Sequence, residues 1–138
     1  MKFNKLIPEL SVTSIKKSSK FYTELLGFKI EYQRENFAFL SFQGSQIMIE
    51  ANGNWKTGKL EHPFGRGINF QIEAKSIGPL LNSLKRHKYP LKMQPKDNWY
   101  RKGKVLIGNR EFLVMDPDGY LLRFFEDLGT KSVRRVLP

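Results

Sequence analysis

Side chains able to carry out catalysis are few in this sequence, and their spacing matches no familiar catalytic motif. The chain has no cysteine, which excludes a thiolate nucleophile, a thiolate metal site and a disulfide. His62 precedes a proline in a glycine-containing segment, whereas His87 ends a basic run where a cation would stabilise a helix terminus. No serine lies in a nucleophile elbow, and no glycine-rich loop has nucleotide-binding spacing. We therefore expect no catalytic residue.

Aromatic side chains are better suited to bind a ligand, by stacking. Trp55, Trp99 and Tyr100 lie in segments predicted to be irregular, where side chains contact ligands more often than they fill a core. Phe37 and Phe39 alternate along one predicted strand. A structural role stays open for all of them: covering sheet ends or a subunit interface for the tryptophans, and filling the core for the phenylalanines.

Charged side chains could add polar recognition to this aromatic set. Arginines donate several hydrogen bonds in a fixed geometry, although a single arginine is more often a surface or ion-pair residue. The predicted ligand-binding residues are Trp55, Trp99, Tyr100, Phe37, Phe39, Glu50, Arg110 and Arg123.

The net charge of +11 is concentrated in the second half of the chain. The segment 85–104 contains eight basic residues and one acid, Asp97. Such a segment attracts anionic partners, or it forms a solvated face that keeps the protein soluble. Interleaved Tyr89, Trp99 and Tyr100 would suit single-stranded nucleic acid, but no nucleic-acid-binding motif is present, so we consider nucleic acid an unfavoured partner.

The first half of the chain predicts a β-α-β-β-β unit. Residues 3–12 read as an edge strand because they contain Pro8, and Thr13 or Ser14 fits the N-cap of a helix that Gly27 ends. The predicted helix and the strands after it are Ile15–Leu26, Phe28–Arg34, Phe37–Phe42 and Gln46–Ala51.

The second half repeats that order. Ser76 is a plausible N-cap for its helix, and the Asp116 to Gly119 sequence is a strong turn. The stretch between Asp97 and Gly108 reads as irregular. The predicted strand, helix and later strands are Ile68–Glu73, Ser76–His87, Leu91–Met93, Glu111–Met115 and Leu121–Phe125.

Internal duplication fixes the expected architecture. We expect one α+β structural domain in which repeats at 1–51 and 67–128 are joined by a linker at 52–66 and followed by a basic tail at 129–138. Two β-α-β-β-β repeats would form curved mixed sheets with helices outside and a concave ligand cleft. Open sheet edges and an unfinished cleft favour a homodimer. Without a long apolar stretch or a signal-peptide pattern, the expected location is the cytoplasm and no membrane contact is expected.

Three segments resemble the glyoxalase, bleomycin-resistance and extradiol-dioxygenase (vicinal oxygen chelate) superfamily. They are Ile15-Lys-Lys-Ser-Ser-Lys-Phe-Tyr-Thr-Glu-Leu-Leu-Gly-Phe28, Gly65-Arg-Gly-Ile-Asn-Phe-Gln-Ile72 and Asp116-Pro-Asp-Gly-Tyr-Leu-Leu-Arg-Phe124. The resemblance covers roughly residues 6–128. It supports the fold, but the same scaffold hosts several chemistries and also pure binding.

The resemblance implies where the metal ligands of the superfamily's enzymes would fall. Those positions align with Ile7, Glu50, Gly67 and Arg123, and a shift of one or two residues would admit Glu9. Ile and Gly have no donor atom and a guanidinium cannot bind a cation, so we expect no metal and no cofactor. Arg123 and Glu50 would then form a buried ion pair in place of the metal.

By the same resemblance, the chain is similar to the bleomycin-resistance proteins, which are metal-free dimers that sequester the drug. Bleomycin has a cationic tail, and a net charge of +11 opposes its approach unless local acids such as Glu50, Glu61, Asp97 and Glu111 line the cleft. Two alternatives stay open: an anionic metabolite in the same cleft, or a metal-dependent glyoxalase- or dioxygenase-like enzyme that uses Glu9, Glu50 and His62.

Overall fold

The chain folds into two four-stranded mixed sheets, one from each repeat, as predicted. A computed structural model describes residues 1–53 and 56–133. The first repeat comprises β1 Glu9–Val12, α1 Ile15–Lys20, a π-helical turn Phe21–Leu25, β2 Lys29–Arg34, β3 Phe37–Phe42 and β4 Ser45–Ala51. The second comprises β5 Asn69–Glu73, α2 Gly78–Arg86, β6 Met93–Lys102, β7 Val105–Met115 and β8 Leu121–Ser132. In the described part of the chain no helix is long and apolar enough to cross a membrane.

The two sheets have the same topology. The strand orders are β1-β4-β3-β2 and β5-β8-β7-β6. In each sheet the first strand pairs in parallel with the last, and the remaining pairs are antiparallel. The duplication read from the sequence is therefore present in the backbone.

Most local start and stop signals act as the sequence predicts. Ser14 is the N-cap of α1, and its Oγ accepts the backbone N–H of Lys17 at 3.1 Å. Gly27 follows the π-helical turn with a φ of +81°, which a side chain would strain. His87 is the C-cap of α2, as expected. Ser76 accepts the N–H of Gly78 at 3.3 Å, but the N-cap position itself is occupied by Ile77.

One hydrophobic core joins the repeats on the helix-covered faces of both sheets. Leu40 and Ile49 of the first sheet and Phe112 and Phe124 of the second are all completely or almost completely buried in it. The rings of Phe42 and Phe124 meet edge to face across the boundary, with centroids 5.8 Å apart. The opposite faces of the two sheets therefore point away from the shared core.

Hydrogen bonds from the Asp116 to Gly119 turn also join the repeats. Tyr22 Oη donates to Asp116 Oδ2 at 2.8 Å, and the Thr13 hydroxyl donates to Asp118 Oδ1 at 2.7 Å. Tyr120 Oη returns a hydrogen bond to the Ser11 carbonyl at 2.8 Å. The turn thus fixes the second repeat to the strand–helix junction of the first.

The segment predicted to be irregular is in fact a long hairpin, so that prediction is wrong. β6 and β7 pair from Trp99 with Gly108 to Lys102 with Val105, and Gly103 takes a φ of +63° in the tight turn. The predicted strand Glu111–Met115 is the end of β7 that lies away from the turn, whereas the predicted strand Leu91–Met93 overlaps β6 only at Met93. Most β6 side chains are exposed, so the strand lacks the apolar alternation that reveals a half-buried strand.

Other boundaries differ at their ends. The first strand is shorter than residues 3–12, and the predicted helix divides into α1 and the π-helical turn. β8 continues past Phe125 to Ser132 because it pairs with the hairpin as far as Val105. The division of the chain at residues 51, 66 and 128 stays a prediction, although β8 crosses the last of these.

Candidate functional site

The first open face is the side of the first sheet that points away from the core. It has two cross-strand rows, because directly paired residues share a face. One row runs through Arg34, Phe37, Glu50 and Ser11, and the other through Tyr32, Phe39, Met48 and Glu9. Aromatic, aliphatic and acidic side chains therefore lie side by side on one surface.

Aromatic stacking organises this face. The Tyr32 ring stacks on Phe39 with centroids 5.2 Å apart and on Phe37 at 5.9 Å. Phe3 meets Phe39 edge to face at 5.3 Å, and the Arg34 guanidinium lies 4.0 Å from the Phe37 ring centroid. Phe37 and Phe39 are consequently 5% and 1% exposed, whereas Tyr32 and Phe3 remain exposed. The two predicted phenylalanines form the floor, and the outer rings are the ones a ligand would reach.

Two carboxyl groups lie next to that aromatic surface. Burial raises the pKa of Glu9, and hydrogen bonding and charge repulsion from Glu50 raise it further, while the Arg34 cation opposes the rise. Two neighbouring carboxylates attract a bound cation more strongly than either alone. The first open face therefore provides local negative charge on a chain whose net charge is +11.

The second open face is the corresponding side of the second sheet, and its centre is an ion pair. The Arg123 guanidinium donates to both carboxylate oxygens of Glu111, at 3.4 and 3.0 Å, and to Asn69 Oδ1 at 3.3 Å. The Glu111 side chain is 6% exposed and that of Arg123 is 29% exposed. The ion pair predicted between Arg123 and Glu50 is not formed, because Glu50 belongs to the other sheet and Glu111 lies on the strand next to Arg123.

Trp99 and Arg110 lie on the opposite side of the second sheet from this ion pair. Arg110 alternates with Phe112, which points into the core, and it pairs with Asp97 at 2.8 Å. The pair lowers the pKa of Asp97 and raises that of Arg110. The Trp99 ring lies against Gly108, and the Lys131 ammonium sits 3.6 Å from its centroid.

The predicted binding residues are thus divided among three places. Phe37, Phe39 and Glu50 are together on the first open face, whereas Arg123 is on the second. Trp99 and Arg110 occupy the other side of the hairpin, whereas Tyr100, the next residue of β6, is exposed on the side opposite Trp99. Trp55 lies outside the described residues.

Sequence reasoning missed three residues of the first open face, Phe3, Tyr32 and Arg34. The signal of Tyr32 and Arg34 was present, since both follow the period-two alternation of a strand that pairs with the Phe37 to Phe42 strand. In contrast, the partnership of Glu111 with Arg123 required knowledge of strand register.

Neither open face has the donor set of a metal site. In residues 1–53 and 56–133 no group of three or more His, Cys, Asp or Glu side chains lies close enough to hold a metal ion. Glu9 and Glu50 are neighbours without a histidine, and Arg123 neutralises Glu111. Two carboxylates are fewer than the three or four protein ligands that a divalent metal such as zinc requires.

The model of the Glyoxalase/Bleomycin resistance protein/Dioxygenase superfamily matches residues 5–124. The chain belongs to this superfamily. A Geobacillus stearothermophilus "Bleomycin resistance protein" is 29% identical over 137 residues, an alignment that covers 88% of this chain and 96% of that protein. A Haemophilus influenzae "Lactoylglutathione lyase" is 28% identical over 137 residues, with 89% and 92% covered.

Solved structures agree on the superfamily fold. TioX from Micromonospora sp. ML1 superposes with a TM-score of 0.70 at 17% identity, covering 91% of this chain and all of that one. The match to the superfamily model and the superposition on a solved structure therefore both show the double β-α-β-β-β architecture. The bleomycin resistance protein and the lactoylglutathione lyase are about equally similar to the chain, so the function has to be argued from the site.

Proposed function

We propose that the protein itself holds no metal and that it sequesters a cationic, aromatic small molecule of the bleomycin type. The observation that carries this proposal is the first open face, where exposed Tyr32 and Phe3 lie beside the Glu9 and Glu50 carboxyl groups. Rings would stack on the ligand, and the acids would attract its positive charge. The 29% identity to a bleomycin resistance protein over most of both chains supports the same choice.

We also propose that the binding unit is a homodimer. The two open faces point away from a common core, so a cleft that uses both needs the first face of one copy and the second face of another. Arg123 would then contribute from the partner copy, opposite the acids of the first face. A site of this kind encloses its ligand only when two chains meet. We also propose that this dimer is cytoplasmic, as a chain without cysteine would suit that compartment.

Calorimetric titration with metal-free and copper-bound bleomycin tests the function. We expect saturable binding at one drug per chain near physiological salt. Glu50→Gln should weaken binding by roughly tenfold, about 1.4 kcal/mol, because a charge next to the ligand is lost. Glu24→Gln makes the same charge change on the π-helical turn and should leave the affinity unaltered. Equal effects of the two substitutions, or no saturation, would exclude this face as the drug site.

A metal-dependent enzyme is the second candidate, favoured by the similarity to lactoylglutathione lyase. It would have to use Glu9 and Glu50 together with a residue that is not near them in the described part of the chain. Elemental analysis of protein purified without chelator separates the two proposals. One tightly bound divalent metal per chain would favour the metal-dependent enzyme and would contradict the metal-free binding protein.

A further inference from the structure

A cavity lies where the two repeats meet, away from both open faces. Its volume is about 480 Å³, which is within the range of small-molecule sites. It is bounded by α1, the linker, the segment after α2 and the Asp116 to Gly119 turn. None of Glu9, Glu50 or Arg123 lines it. The cleft of the proposed drug-binding function therefore does not account for it.

The apolar wall of this cavity is preformed. Tyr89, Leu91, Met115 and Pro117 contribute to it. The Tyr89 hydroxyl donates to the Met115 carbonyl, and its ring packs against Phe21 with centroids 4.9 Å apart. The phenol is thus held at both ends, and the wall needs no ordering to receive an apolar group.

Three basic side chains line the same cavity from different segments. Lys17 comes from α1, Lys92 from the segment before β6, and His62 from the linker. The linker is fixed there because the Phe64 N–H donates to the Asp118 carbonyl at 2.8 Å. His62 Nε2 lies against Gly119, at 3.1 Å from where a Cβ on that residue would be.

Asp116 is the one acid among the residues that line this cavity, and the protein already uses its oxygens. Oδ1 accepts the N–H groups of Asp118 and Tyr120, both at 2.9 Å, while Oδ2 accepts the Tyr22 hydroxyl. The residue is 2% exposed, so it offers little free charge to the cavity. The accessible charged groups of the cavity are basic.

We propose that this cavity binds a small organic anion, a carboxylate or phosphate monoester with an aromatic or aliphatic body. Its acid group would lie between Lys17, Lys92 and His62, and its body would pack on Tyr89 and Leu91. The anion in this cavity would be a specific partner for part of the chain's positive charge, which also has a general effect on solubility. The site is separate from the drug cleft and does not depend on it.

Phenyl phosphate is a suitable probe, with inorganic phosphate and phenol as its two halves. We expect phenyl phosphate to saturate at one per chain by calorimetry, and each half to bind at least roughly tenfold more weakly because it lacks one set of contacts. Amide resonances of Tyr89, Leu91, Lys92, Met115 and Asp116 should shift in the ¹⁵N spectrum. Saturation with shifts elsewhere would overturn the proposed location, and an absence of saturation would overturn the site.

Paired lysine variants separate a built site from diffuse attraction. Lys17→Ala with Lys92→Ala should weaken phenyl phosphate binding by at least roughly tenfold. Lys16→Ala with Lys20→Ala removes the same charge from α1 outside the cavity and should change the affinity by less than about twofold. Equal losses in both variants would show that only net charge acts. Bleomycin binding by the first variant should be retained, which distinguishes failure here from failure of the proposed function.

Discussion

Glu9 and Glu50 place two carboxyl groups on one sheet face, and their interaction can be measured directly. Burial is the largest cause of the raised pKa of Glu9, followed by the hydrogen bond and the charge of Glu50. The first cause belongs to the fold and the others to the neighbouring acid. Replacing the neighbour should therefore remove only part of the shift.

Glu50→Gln should lower the pKa of Glu9 toward its ordinary value without reaching it. The substitution removes the repulsion between two negative charges but leaves the burial. Carboxyl ¹³C chemical shifts followed across a pH titration give the pKa of Glu9 in each protein. Glu24→Gln, on the π-helical turn, should leave that pKa unchanged. An unaltered pKa in Glu50→Gln would mean that the two acids do not interact, and the local negative charge of the face would be in doubt.

Asp116 shows the opposite use of a carboxyl group, as a fixed acceptor inside the protein. Burial raises its pKa to about 6, although hydrogen bonds from Tyr22 and two backbone N–H groups oppose that rise. A folded pKa above the unfolded one stabilises the fold at low pH. That stability is fully present below the unfolded pKa and is lost as the pH rises through the folded pKa.

Asp116→Asn should remove a pH-dependent contribution of roughly 3 kcal/mol between about pH 4 and pH 7, because burial raises the pKa of Asp116 to about 6 from an ordinary value near 4. Asparagine keeps an oxygen for the backbone donors and offers an amide to Tyr22. Urea unfolding of both proteins at several pH values measures the difference. We expect the variant to gain stability relative to the wild type as the pH rises. A difference that does not change with pH would contradict the assignment.

The β6–β7 hairpin is the element whose formation depends most on a single glycine. Gly108 pairs with Trp99, and a Cβ there would overlap the indole ring. The ring is enclosed on its other side by Lys131 of β8. Glycine is therefore required for three strands to close around the tryptophan, and this contact explains the only buried glycine of the hairpin.

Gly108→Ala should destabilise the protein by about 1–3 kcal/mol, because the indole has to move out of a packed position. The melting temperature and the Trp99 indole ¹⁵N–¹H resonance report the two parts of this expectation. Gly58→Ala is the control, since nothing lies within 4 Å of a Cβ at that position. If both variants melt alike and the indole resonance is unshifted, Trp99 does not occupy the described position.

A strand with a continuous apolar run was predictable from sequence, and a strand with mostly exposed side chains was not. β3 matches its predicted bounds, Phe37–Phe42, because its apolar run and flanking turns leave no other reading. β6 presents charged residues on both sides, so no periodicity marks it as a strand. Its pairing with β7 and β8, which arises from long-range contacts, determines its structure.

At the scale of the whole molecule, the duplication and the superfamily were readable from sequence, but the distribution of the site was not. The sequence predicts which residue types are suited to bind a ligand, while strand register decides which of those residues share a face. Arg123 illustrates this: alignment with the metal-ligand positions of the superfamily's enzymes suggested Glu50 as its partner, but Glu111 is one strand away in the same sheet. Only the folded chain separates the two open faces.

Because the two open faces are separate, the proposed dimer can be tested by mixing two variants that are each substituted on a different face. In the proposed dimer each cleft combines the first open face of one chain with the second open face of its partner. Glu50→Gln and Arg123→Gln would each impair both clefts of their own homodimer. Glutamine at position 123 retains a donor for Glu111, so the second sheet should stay folded.

Unfolding and refolding an equal mixture of these two variants should restore drug binding. Half of the dimers would be mixed, and each mixed dimer would have one cleft with both substitutions and one with neither. About a quarter of all clefts should then bind bleomycin with wild-type affinity in a calorimetric titration. Light scattering must show dimers before and after mixing. Dimers without any high-affinity clefts would contradict a cleft shared between two chains, because a cleft within one chain cannot be repaired by exchange.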